Sequence, residues 1–192
     1  MRNLYLILVV ATSLLPFTPV NAAPADLPET GQTSCSNAAG TTIPCALTGQ
    51  DGDHKAGVAW PNPRFTAGTG DTADCVTDKF TGLMWVGTPD VNQVTWTTAL
   101  ANAAALTLCG FSDWRLPNIN ELESLTNIET ADLPTYLNAQ GFSGFVGNSY
   151  WSSTTFAATP SRAWIVFMTH SNVLSLTKGD TAAFVWPVRT AQ

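Results

Sequence analysis

The run GFSDWRLPNINEL, Gly110 to Leu122, sets an aromatic ring, a guanidinium and several acidic or amide side chains within a few residues. Trp114 offers a stacking face and Arg115 a planar donor fork, a pair suited to sugars or carboxylates. The same residues fit a packing role. Trp114 can sit in the core, and Arg115 can pair with Glu121, Glu123 or Asp113. Pro117 then stiffens the approach to a helix that Asn118 caps, with Glu121 three residues on as the return carboxylate of a capping box. The flanking pattern puts more weight on packing, with any binding surface built around the run by the β half of the chain.

Aromatic and cationic residues elsewhere complete the binding candidates: Trp60, Trp151, Arg162 and Trp186. Trp85, Trp96, Trp151 and Trp164 lie on periodic apolar faces and read as core. Trp60, in a Pro-rich stretch, and Trp186, beside Pro187, are the better candidates for exposure.

Catalytic chemistry has little to stand on. No Gly-x-Ser-x-Gly elbow occurs, and His54 and His170 are far apart in sequence. Glu121 and Glu123 point to different helix faces. No nucleophile–base pair is in view, so the chain reads as a non-enzyme without a cofactor. Asp51 and Asp53, in Gly49-Gln50-Asp51-Gly52-Asp53, are the candidates for a calcium loop. The later acidic ligand of an EF-hand is missing, and an Asp/Gly turn is the plainer reading. Cys-x-x-Cys spacing is absent, which argues against structural zinc.

The elements that must position these residues begin after an export signal. Arg2, the apolar stretch Leu4 to Leu15 and Val20-Asn21-Ala22 predict a signal peptide over 1–22, cleaved after Ala22. No later segment is long and apolar enough to span a bilayer. Four cysteines in an exported chain imply two disulfides. Of three connectivities, Cys35–Cys45 and Cys75–Cys109 are favoured, the second tying a first strand to the end of the first helix. The net charge is −6; removing Arg2 leaves 7 basic against 14 acidic residues, or −7. Such a chain, with no Lys/Arg cluster, excludes nucleic acid, anionic lipid and sulfated polysaccharide as partners.

Residues 23–70 read as an extended arm rich in Pro, Gly and Thr, and 71–192 as one folded domain. In the domain, Cys75–Asp78 and Gly82–Trp85 form a hairpin around Lys79-Phe80-Thr81. Thr95 caps a helix from Trp96 to Leu108, which Cys109-Gly110 stops. Ile119, Leu122 and Leu125 form the buried stripe of the next helix. Tyr150–Thr154, Arg162–Met168, Val173–Thr177 and Ala183–Arg189 are strands. The strand from Arg162 is apolar on both faces, hence central, and Pro187 places the last strand at an edge or bulge. The class is α+β, two helices on short antiparallel strands.

Five segments in order resemble one family: Thr81–Trp85, Trp96 opening a helix, Gly110–Leu122, Tyr150–Thr154 and Val188-Arg189. Over roughly 72–190 the chain resembles the domain of unknown function 1566 family, the C-terminal domain of the Legionella collagen-like adhesin. The resemblance implies a C-type-lectin-like fold, related in layout to the formylglycine-generating enzymes, which carry an Arg-Leu-Pro run at a place like Arg115-Leu116-Pro117. It implies a surface or secreted bacterial protein that binds glycan or another surface protein, and a possible homo-oligomer. The chain has no collagen-like tract, no basic surface, none of the calcium-lectin sugar motifs and no late cysteine pair. A second reading is a disulfide-stapled structural subunit of a surface assembly, whose arm packs on a neighbour. A third, an enzyme of the formylglycine-generating type, lacks the cysteines.

Overall fold

The computed structural model describes residues 27–191. The expected signal and the first residues of the arm lie outside this range. Among the described residues, no helix is long and apolar enough to cross a membrane.

The architecture is mixed α+β, mostly strands. The arm holds two short paired strands, β1 (Cys35–Ser36) and β2 (Thr42–Ile43), and a single helical turn, α1 (Asp51–His54). A four-stranded antiparallel sheet follows from β3 (Phe65–Ala67), β4 (Cys75–Asp78) and β5 (Leu83–Val86), with β11 (Val188–Thr190) on its far edge. A five-stranded sheet has the order β6 (Asp90–Val94), β10 (Ala183–Val185), β7 (Ser149–Thr155), β8 (Arg162–Phe167) and β9 (Asn172–Thr177). Only its β10–β7 pairing is parallel. The helices are α2 (Trp96–Ala105), α3 (Ile119–Glu123) and α4 (Leu133–Ala139).

Alternation in the strands explains the two cores. Tyr150, Val166, Met168, Phe184 and Trp186 face one hydrophobic cluster. Trp151, Ala163, Ile165, Ala183 and Val185 face the other, which Ala99 and Ala103 of α2 cover. A sheet buried on both faces must be apolar on both faces, as β8 is. Its neighbours β7 and β9 make it internal.

Several expectations are corrected. Trp186 is not exposed; it is fully buried. Its ring packs on Trp85, Phe142, Phe145 and Tyr150, and its Nε1–H donates to Val86 O at 2.8 Å. Pro187 does not disturb one strand. It separates β10 from β11, so the chain passes there from one sheet to the other. The first long helix ends at Ala105, not Leu108. Leu106 turns extended and packs with Leu108 against the larger core. Cys109 and Gly110 form a tight turn with φ of 55° and 79°, closing the Leu108–Phe111 bridge beyond the helix end. Trp96 and Trp164 are half-buried; Trp96 packs against the second cluster, as a core position would, while Trp164 is outside both.

Both favoured disulfides are present, Cys35–Cys45 and Cys75–Cys109. β3 lies ahead of residue 71, so the four-stranded sheet begins inside the segment read as arm.

Candidate functional site

The Gly110–Leu122 run is a junction between elements. Its backbone bridges β11 reciprocally, Arg115 N to Val188 O at 3.0 Å and Val188 N to Arg115 O at 2.9 Å. Trp114 is buried, and its Nε1–H reaches Leu108 O at 3.2 Å. The capping box is complete. Asn118 Oδ1 accepts from Glu121 N at 2.9 Å, and Glu121 Oε2 accepts from Asn118 N at 2.8 Å. Glu121 also takes both arms of Arg115, at 2.7 and 2.6 Å. Burial pushes the Glu121 carboxyl up, but the Arg115 fork and the Asn118 amide outweigh it and hold it below the usual carboxylate range.

A second fork pairs Arg189 with Asp113, at 2.7 and 3.2 Å, and the Arg189 guanidinium lies 3.6 Å over the Phe111 ring. That bond is the main cause holding the Asp113 carboxyl below its ordinary range. The charged side chains of the run are therefore paired, Arg115 with Glu121 and Asp113 with Arg189.

The other sequence candidates separate. Trp114, Trp151 and Trp186 are corrected from ligand candidates to core residues, since each is buried. Trp151 donates Nε1–H to Val94 O at 2.9 Å. Arg162 lies across the strand pair, donating to Ser175 Oγ at 3.0 Å and to the Ser175 carbonyl. It covers a β9 edge carbonyl, a role in which its fork is occupied. Asp51 accepts from Thr30 Oγ1, and Asp53 Oδ2 accepts from Gly49 N at 3.1 Å, so both carboxylates tie the arm's own turns. Among the described residues, no group of three or more His, Cys, Asp or Glu is placed to hold a metal.

Of the six candidates, Trp60 lines a groove. The groove, about 570 Å³, lies between the arm and the domain. The arm contributes Leu27, Pro28, Glu29, Thr30, Trp60 and Arg64. The facing wall includes Phe80, Thr81, Asn120, Glu123, Thr126 and Ile128. Arg64, which the sequence reading did not single out, fixes the two walls. It is 4% exposed and pairs with fully buried Asp78 through Nε at 3.0 Å and Nη2 at 2.7 Å. Nη2 also donates to Ser124 O at 2.6 Å. Its guanidinium stacks against Trp60, Phe65 and Phe80 at 4.7, 4.6 and 5.6 Å. A partial signal existed: Asp78 ends the strand Cys75-Val76-Thr77-Asp78, and a carboxylate buried there demands a cation. Farther along, Glu129 accepts from Thr33 N, Thr33 Oγ1 and Ser34 N at 3.0, 3.2 and 3.4 Å, docking the arm again.

With that geometry established, comparison with known families matches residues 74–189 to the Lcl C-terminal domain. Comparison with curated proteins finds no match. The matched span contains the junction run and the domain wall of the groove. The arm wall lies ahead of it.

Proposed function

The chain belongs to the Lcl C-terminal domain family, and from that premise we propose that it is an exported binding domain with a role in adhesion to glycan or matrix surfaces. The family match over 74–189 carries the reading. The fold is proposed as C-type-lectin-like, which the two-sheet α+β arrangement supports at the level of class. The two disulfides support export to an oxidising compartment, as the N-terminal signal pattern does. In this reading the protein acts by binding, and the charged groups at the junction serve to fix the fold by pairing with one another.

The structural-subunit reading called for an arm free to pack on a neighbour. Here the arm packs on its own domain through Arg64 and Glu129, which favours the binding role. The test is binding of the chain from residue 23 to a broad glycan array and to whole cells. Dose-dependent attachment to either supports the proposal. A folded sample silent on both contradicts it.

A further inference from the structure

We infer that the groove between arm and domain is the ligand site, and that it takes an uncharged polyhydroxylated molecule, a saccharide unit; the inference rests on the binding role proposed above. Its volume of about 570 Å³ falls within the range of small-molecule sites, about 300–1,000 Å³. The lining sets the chemistry of the occupant. Leu27 and Ile128 stand on it with 66% and 65% of their surface open to solvent, and Trp60 and Phe80 add aromatic surface. Glu29 and Glu123 put two carboxylates on the same lining.

Charge excludes most alternatives. Arg64 is the groove's one cation among the described lining residues, and its fork is filled by Asp78. A sulfated, phosphorylated or uronic ligand meets two carboxylates without a free cation to offset them. A compact cation would be drawn to those carboxylates, since Asp78 neutralises Arg64, but it would leave the apolar and aromatic surface of Leu27, Trp60, Phe80 and Ile128 uncovered. A hydrocarbon would strip water from the carboxylates and return no hydrogen bond. A sugar ring satisfies each part of the lining: its hydroxyls donate to Glu29 and Glu123, and its C–H face lies on the apolar and aromatic surface.

A second observation marks the seam as a place where a hydroxyl is wanted. Of four buried side-chain polar atoms with no hydrogen-bond partner among the described residues, Trp60 Nε1 on the arm wall and Thr81 Oγ1 on the domain wall meet at this seam, while Trp85 Nε1 and Arg189 Nη1 lie outside the groove lining. Buried polar groups are rarely left unpaired, and each such group carries a desolvation cost. A hydroxylated ligand that parts the seam slightly gives both a partner. The arm wall, with Trp60, lies ahead of the family match, which starts at residue 74.

The experiment is calorimetric titration of the chain from residue 23 with a panel of neutral disaccharides: maltose, cellobiose, lactose, mannobiose and chitobiose. Heparin and hexalysine serve as charged probes. Saturable binding of at least one neutral sugar is expected. Glu123→Gln and Thr81→Val should each weaken it about tenfold or more, the equivalent of one hydrogen bond. Thr81→Val should unfold at the wild-type temperature or above, because it removes an unpaired hydroxyl. A fall in affinity without a fall in stability is something a purely structural threonine would not give. Neutral-sugar binding indifferent to both variants overturns the site. Binding of heparin or hexalysine alone overturns the ligand class. Attachment to cells with no response to the neutral panel overturns this inference and leaves the binding role standing; silence in every assay overturns both.

Discussion

Replacing Arg64 with methionine leaves the Asp78 carboxylate buried without its cation. Asp78 is fully buried and takes both arms of the fork, so little solvent is at hand to compensate. Removing one partner of such a pair costs about 3–5 kcal/mol. For a domain of this size each kcal/mol moves the melting temperature by about 2–4 °C, so Arg64→Met should lower it by about 6–20 °C. The double variant Arg64→Met, Asp78→Leu removes both charges and should regain most of that loss, short of the bond from Phe80 N to Asp78 at 2.9 Å. Thermal unfolding followed by circular dichroism measures all three proteins. A single variant within about 1 kcal/mol of wild type would refute the claim that Arg64 welds arm to domain. So would a double variant less stable than the single.

Three further outcomes follow from the same geometry. Peptide mapping without reduction should recover Cys75 joined to Cys109, and opening that 34-residue separation should cost about 4 kcal/mol by loop entropy; a Cys35–Cys75 link would contradict the topology. Trp186→Ala should destabilise by about 3–5 kcal/mol, as loss of a fully buried indole does, whereas a surface tryptophan would change little. The carboxyls of Glu121, Asp113 and Glu129 are held low in the folded state, the last chiefly by the Thr33 amide. Their contribution is present at neutral pH and is lost as pH falls through those depressed values. The melting temperature should therefore hold from pH 7 to about 5 and drop below about 4, less steeply in Glu121→Gln; a rise on acidification would contradict this.

Local signals in the sequence were readable where the chemistry is local. The spacing of Asn118 and Glu121 predicts a capping box, and the box is there. Thr95 caps α2 as read, and Lys79-Phe80-Thr81 lies between β4 and β5. What escaped depends on distant chain. Pro187 reads as a blemish in one strand, because nothing local says that β10 and β11 join different sheets; the misplacement of Trp186 follows from it. α4 has its own signals, Asp132 as cap and Pro134 in the first turn, but it is short and carries only a brief apolar stripe. The groove was half legible. Trp60 was singled out by its setting, while Arg64 and Glu123 acquire meaning only when the arm folds back over the hairpin.

The groove reading is tested most directly by ¹⁹F NMR of protein labelled with 5-fluorotryptophan. The chain has 7 tryptophans, each giving a resonance assignable by replacement with phenylalanine. Titration with the neutral sugar that binds should move the Trp60 line and leave the lines of buried Trp85, Trp114, Trp151 and Trp186 in place. A silent Trp60 with a shifted Trp96 or Trp164 would put the ligand elsewhere and contradict the account.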